Sequence, residues 1–67
     1  MAGIFATDVV AQGHAKRWAE RQYGEAHART FLLWLIALPQ EDQDYVSEEG
    51  YKVIRERFEA DHEEVLR

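Results

Sequence analysis

Side-chain type and spacing come nearest to chemistry in the segment Glu59-Ala60-Asp61-His62. On a helix, residues three apart share a face. A Glu-x-x-His spacing therefore sets a carboxylate and an imidazole one turn apart, and both are ligands for divalent metals. One such pair supplies only two ligands. A second copy of the chain, or Glu20 or Glu25 from another helix, would have to complete the set. The competing reading makes Glu59 through Glu64 a solvated acidic helix end, with His62 at the margin of the core. That reading is preferred, so no metal and no cofactor are expected, and Glu59 with His62 stand as the alternative metal pair.

In its spacing, the Glu59–His62 segment resembles the motif of the encapsulated ferritins, which are also helical hairpins. The resemblance implies a metal-binding four-helix assembly in which two such motifs face each other, as in ferritin-like carboxylate proteins. The other chemistry-bearing residues are sparse. His14 falls on an apolar face and His27 lies between Ala26 and Ala28, neither with a carboxylate at ligand spacing. Cysteine is absent, the single serine is Ser47 in an acidic stretch, and Gly24 and Gly50 stand alone rather than in a phosphate-binding loop. Catalysis is not expected.

Charge narrows the partners. Net charge is −5, unevenly divided. Residues 1–38 hold four basic and three acidic side chains, net +1, and residues 39–67 hold four basic and ten acidic, net −6. A nucleic-acid interface needs clustered positive charge to displace counterions, so that class is excluded and a basic protein partner is favoured. The longest apolar run, Phe31 to Leu38, is eight residues, far short of the roughly 20 that span a bilayer. With no basic start or long apolar stretch at the N-terminus, a cytoplasmic location is expected.

The elements that must position these residues are helical. Apolar residues make up 46% and charged residues 31% of the 67, a composition that folds. Turn residues are too few for an all-β fold. Leu38-Pro39-Gln40-Glu41-Asp42 is the one strong break, with proline opening a new helix and two carboxylates in its first turn. The spacing predicts a first helix over about 7–37, capped near Thr7 and Asp8, and a second over about 39–66. Gly24 is the doubtful point, but no Ser, Thr, Asp or Asn precedes it to cap a new helix. The expected fold is all-α, a single domain over 1–67 built as a long antiparallel helical hairpin, with a compact three-helix fold as the alternative. Each helix would be roughly 40–45 Å long at ~1.5 Å per residue. Folding at Pro39 would bring Arg17 and Arg21 near Glu56–Glu63.

Phe31, Leu32, Leu33, Trp34, Leu35 and Ile36 coat the whole circumference of the first helix. A helix apolar all round is buried on all sides, which one partner helix cannot achieve. A homodimer forming a four-helix bundle is therefore expected, with Phe31, Leu32, Trp34, Leu35 and Phe58 at the oligomer interface. Aromatics and arginine are enriched in binding hot spots, which makes Arg17, Trp18 and Arg21 the first choice for a partner surface and Tyr45 with Glu49 the second. Trp18 is divided between that role and the core. The function expected is a non-enzymatic interaction module, a small regulatory or inhibitory protein of phage or mobile-element style that blocks a target protein. A structural subunit of a larger assembly is a third reading.

Overall fold

The computed structural model describes residues 3–66, and every element among them is a helix. In chain order these are α1 (Ile4–Thr7), α2 (Val9–Tyr23), α3 (Glu25–Ile36), α4 (Gln40–Glu49), α5 (Lys52–Asp61) and α6 (Glu63–Leu66). No helix of the described residues is long and apolar enough to cross a membrane.

The two long helices expected from sequence are corrected to shorter ones. The first is interrupted at Asp8 and Gly24, the second at Gly50 and His62. Asp8 breaks the backbone out of α1 in an extended conformation, and its Oδ1 accepts from the Val10 amide at 2.9 Å. A cap of this kind stabilises a helix by about 1 kcal/mol. Gly24 (φ 88°, ψ 163°) and Gly50 (φ 97°, ψ 169°) build the same corner twice. Each closes the preceding helix through its amide, to Glu20 O and Val46 O respectively. The Gly24 carbonyl then starts α3 by accepting from His27 and Ala28. Neither following helix has a side-chain cap: Gly24 itself precedes α3, and Tyr51, after Gly50, precedes α5. Pro39 breaks the chain where expected, and its carbonyl accepts from Asp42 and Gln43 to open α4.

Shortening the helices changes what can surround α3. Helix α2 packs against it most closely, across the buried Ala15, Ala19 and Ala28, where small side chains let the backbones approach. The four-residue α1 touches α2, α3 and α4 together. From α5, Phe58 meets Phe31 edge to face with ring centroids 4.9 Å apart. Phe31, Leu35 and Phe58 are completely buried, and Leu32, Trp34, Ile36 and Leu38 pack partly buried against them. The apolar sleeve that implied a dimer is thus covered within one chain, and only Leu33 stands well out of it, 57% exposed. Of the residues expected at an oligomer interface, Phe31, Leu35 and Phe58 are buried within one chain, while Leu32 and Trp34 keep part of their surface exposed. The longest dimension is 33 Å, too short for a helix of some 45 Å. The radius of gyration is 11.0 Å, close to the ~11 Å of a globular chain this long.

One polar side chain lies within the core. Gln43 is 1% exposed and joins three segments. Its Oε1 accepts from the Phe5 amide at 2.9 Å, and its Nε2 donates to Ile36 O and Leu38 O, both at 2.8 Å. A buried side chain on α4 therefore ties down the start of α1 and satisfies carbonyls left over at the end of α3.

Candidate interaction surface

The residues singled out in the sequence separate into three places. Trp18 belongs to the interior: half-buried, its ring lies 5.2 Å from Phe31, 5.2 Å from Tyr51 and 5.9 Å from Tyr23. Its neighbours Arg17 and Arg21 are exposed on α2. Arg17 Nε reaches only Gly13 O, at a long 3.4 Å. The ion pairs seen between described residues join Arg55 to Glu59 at 3.2 Å and Arg57 to Asp42 at 3.4 Å. The expected pairing of Arg17 and Arg21 with the 56–63 region is not among them. Of the basic-aromatic triad, Trp18 is half-buried against the core and Arg17 and Arg21 stand exposed.

Tyr45 and Glu49 fall together on the outer face of α4. Gln43 and Val46 anchor this helix inwards. Residues three and four apart on the other side, Glu41, Asp44, Tyr45, Glu48 and Glu49, are all exposed, and Tyr45 is 55% exposed. Helix α4 contains five acidic residues and no basic one. Asp42 is drawn to Arg57, while Glu41, Asp44, Glu48 and Glu49 enter neither of the ion pairs seen. Glu41 suits the positive end of the helix dipole. Glu48 and Glu49 sit at the opposite end, where a carboxylate costs a few tenths of a kcal/mol. Their placement therefore does nothing for the helix that carries them.

Glu59 and His62 are turned to separate partners. Glu59 pairs with Arg55 in the same helix. His62 ends α5, stacks on Phe58 with centroids 4.4 Å apart, and places Nδ1 3.0 Å from Phe58 O. Trp34 leans on the same edge, its Nε1 donating to Asp61 at 3.1 Å, with the Arg57 guanidinium 5.9 Å from its ring. Among the described residues, no three His, Asp or Glu side chains gather as a metal site would require.

Tyr23 is the one chemically unusual group that sequence reading passes over. Its hydroxyl is closed off from solvent and finds no hydrogen bond of ordinary length and angle among the described residues. The Glu59 carboxylate and the Arg55 guanidinium stand near it. Burial first, and then the Glu59 charge, push its pKa up to about 12. Tyr51 is also pushed up, by burial. Neither phenol is poised for proton transfer near neutrality, since a useful acid or base titrates near the working pH.

No protein-family model matches the chain, and no curated protein or solved structure is significantly similar to it. The class that fold and surface define is a compact helical protein with six helices among its described residues, an aromatic core and one strongly acidic helix face.

Proposed function

We propose that this protein is a non-enzymatic interaction module that binds a basic target protein through the outer face of α4. The observation that supports this reading is an exposed tyrosine set among four exposed carboxylates, Glu41, Asp44, Glu48 and Glu49, which stand outside the ion pairs seen between described residues. Tyrosine provides a large, rigid contact with a polar tip, and such residues dominate binding energy at interface centres. The surrounding charges steer a basic partner and speed encounter more than they add affinity. The action is steric: a rigid helix occupies a site on the target and keeps other ligands away, the behaviour of a small inhibitory or regulatory protein.

The test is to fix the wild-type chain and two variants on resin and quantify what each retains from a lysate of the source cells. One variant is Tyr45→Ala with Glu48→Lys, the other Arg17→Ala with Arg21→Ala, and circular dichroism confirms that both fold. A basic protein retained by wild type and by the arginine variant, lost on the α4 variant and released by salt, is the expected result. Retention that survives the α4 changes and disappears with the arginines would move the surface to α2 and refute the reading.

A further inference from the structure

A groove of about 240 Å³ lies between α1, α2, α4 and the corner at Gly50. Its floor is apolar. Phe5 at the start of α1 and Val46 on α4 are both buried, and the Tyr51 ring lies 6.0 Å from that of Phe5. Ala11 and His14 form the lip on α2, and Ser47 forms the lip on α4. The volume is below the ~300 Å³ at which sites for whole small molecules begin, and suits one large side chain.

The two lips differ in character. On α2, Val10 is one turn before His14 and is 67% exposed. A lone exposed valine needs no explanation, but this one extends the apolar surface outward beside the groove. On α4, Asp44 is one turn before Ser47, and Glu48 is one turn after Asp44. Both carboxylates are exposed and stand outside the ion pairs seen between described residues. Arg17, one turn beyond His14 on α2, repels a cation from the opposite side.

We propose that this groove seats one large apolar side chain of the partner protein, with a lysine or arginine beside it that reaches Asp44 and Glu48. This rests on the reading of α4 as a surface for a basic target, and it extends that surface past Ser47 to α1 and α2. Anchors that fill a pocket carry most of the energy at an interface, whereas exposed charges mainly steer. A partner that offers charge alone is therefore held weakly, and the apolar anchor gives it a fixed register. An acidic segment is repelled by the same two carboxylates.

The experiment is an amide chemical-shift titration of the ¹⁵N-labelled full chain with three peptides. The first is acetyl-Lys-Ala-Phe-Ala-Lys-amide; the second has alanine in place of phenylalanine, and the third has glutamate in place of both lysines. In an extended peptide, residues two apart share a side, so each lysine points the same way as the phenylalanine. Saturable shifts at Phe5, Ala11, His14, Ser47 and Tyr51 are expected with the first peptide. Affinity should fall at least tenfold on loss of the phenylalanine and several-fold on exchange of the lysines. Ser47→Trp, on the exposed lip, fills the groove and should abolish these shifts. Val10→Ser should weaken binding several-fold, and provides the same test if the tryptophan variant fails to fold. No saturable binding, equal binding of the phenylalanine and alanine peptides, or binding unchanged in both variants would overturn the groove. Retention of the target on resin tells the two readings apart. A target lost with Tyr45→Ala, Glu48→Lys and also with Ser47→Trp supports both. One lost with the first and kept by the second leaves the α4 face standing and overturns the groove. One kept by both refutes the α4 face, and with it the partner assigned to the groove.

Discussion

Replacing Gln43 by leucine tests the fold at its least obvious joint. The substitution keeps the side chain about as large, so little cavity is opened, but it removes three hydrogen bonds: one from the Phe5 amide and two to the carbonyls of Ile36 and Leu38. Each such bond contributes about 1 kcal/mol net, and an orphaned buried donor costs ~1–3 kcal/mol. A loss of about 3–5 kcal/mol is therefore expected. A chain of this length has roughly 3–10 kcal/mol of stability in total, so the variant should be on the edge of unfolding. Urea denaturation followed by circular dichroism measures this directly. With a slope of about 1 kcal/mol per molar urea, the midpoint should fall by about 3–5 M. Gln43→Glu gives the mechanism a second reading. An ionised glutamate still accepts from Phe5 but turns an oxygen toward two carbonyl oxygens; protonated, it can donate to one of them. Burial and these contacts raise its folded pKa above the unfolded value. The variant should therefore be most stable below about pH 4, the ordinary glutamate range, and lose stability as pH rises through the folded pKa. Gln40→Leu, on the exposed first turn of α4, serves as control and should change stability by no more than about 0.5 kcal/mol. If Gln43→Leu behaves like Gln40→Leu, or Gln43→Glu ignores pH between 4 and 7, the three-way joint is not what holds α1 and α3 in place.

Other expectations are as direct. Gly24→Ala and Gly50→Ala meet no atom within 4 Å of the added Cβ, so their cost is that of holding alanine at positive φ with ψ near 165°, a region almost reserved for glycine, about 1–3 kcal/mol each, read as a lower melting temperature. Tyr23 has a folded pKa of about 12 against an ordinary value of 10.0; the phenol stays protonated longer in the folded state, so stability is full below pH 10 and lost as pH rises towards 12. Tyr23→Phe should flatten that decline in alkaline denaturation curves, and should be neutral or stabilising at pH 7 because a buried, poorly bonded hydroxyl is removed; an unchanged decline would place its origin elsewhere. Sedimentation of the purified chain should give a 7.8 kDa species, since Phe5, Phe31 and Phe58 are buried within one chain and Trp18, Tyr23, Trp34 and Tyr51 pack partly buried against them; a tight dimer at micromolar concentration would mean that the exposed large hydrophobic residues, Val9, Val10, Leu33, Tyr45, Val53 and Val65, form an interface.

The same physics makes part of this fold legible in the sequence and hides the rest. The helical class and the break at Pro39 are legible because proline and apolar spacing act locally. The acidic second half is legible because charge is a count. The corners at Gly24 and Gly50 are not, because the usual sign of a new helix is a Ser, Thr, Asp or Asn cap, and here glycine at positive φ closes one helix while the next opens from Gly24 or Tyr51 without one. Apolar periodicity running through such a corner then looks like one long helix. Gln43 is hidden for a different reason. It sits in Gln40-Glu41-Asp42-Gln43-Asp44, a run that reads as solvated from end to end, and its burial depends on α1 and α3, which approach only in the folded chain.

These two oversights bear on which residues are left at the surface. A continuous first helix leaves the Phe31–Leu38 sleeve uncovered and demands a second chain. Breaking it at Gly24 lets α2 fold against α3, and breaking the second at Gly50 lets α5 bring Phe58 to Phe31 while α4 stays at the edge. Trp18 then packs, half-buried, against Phe31 and Tyr51. The aromatic residue left on an exposed, strongly charged face is Tyr45. The two glycine corners therefore decide more than the shape of the fold. With the aromatic core closed within one chain, the outer face of α4 stays exposed with Glu41, Asp44, Tyr45, Glu48 and Glu49 on it, and that exposure is what the proposed partner binding rests on.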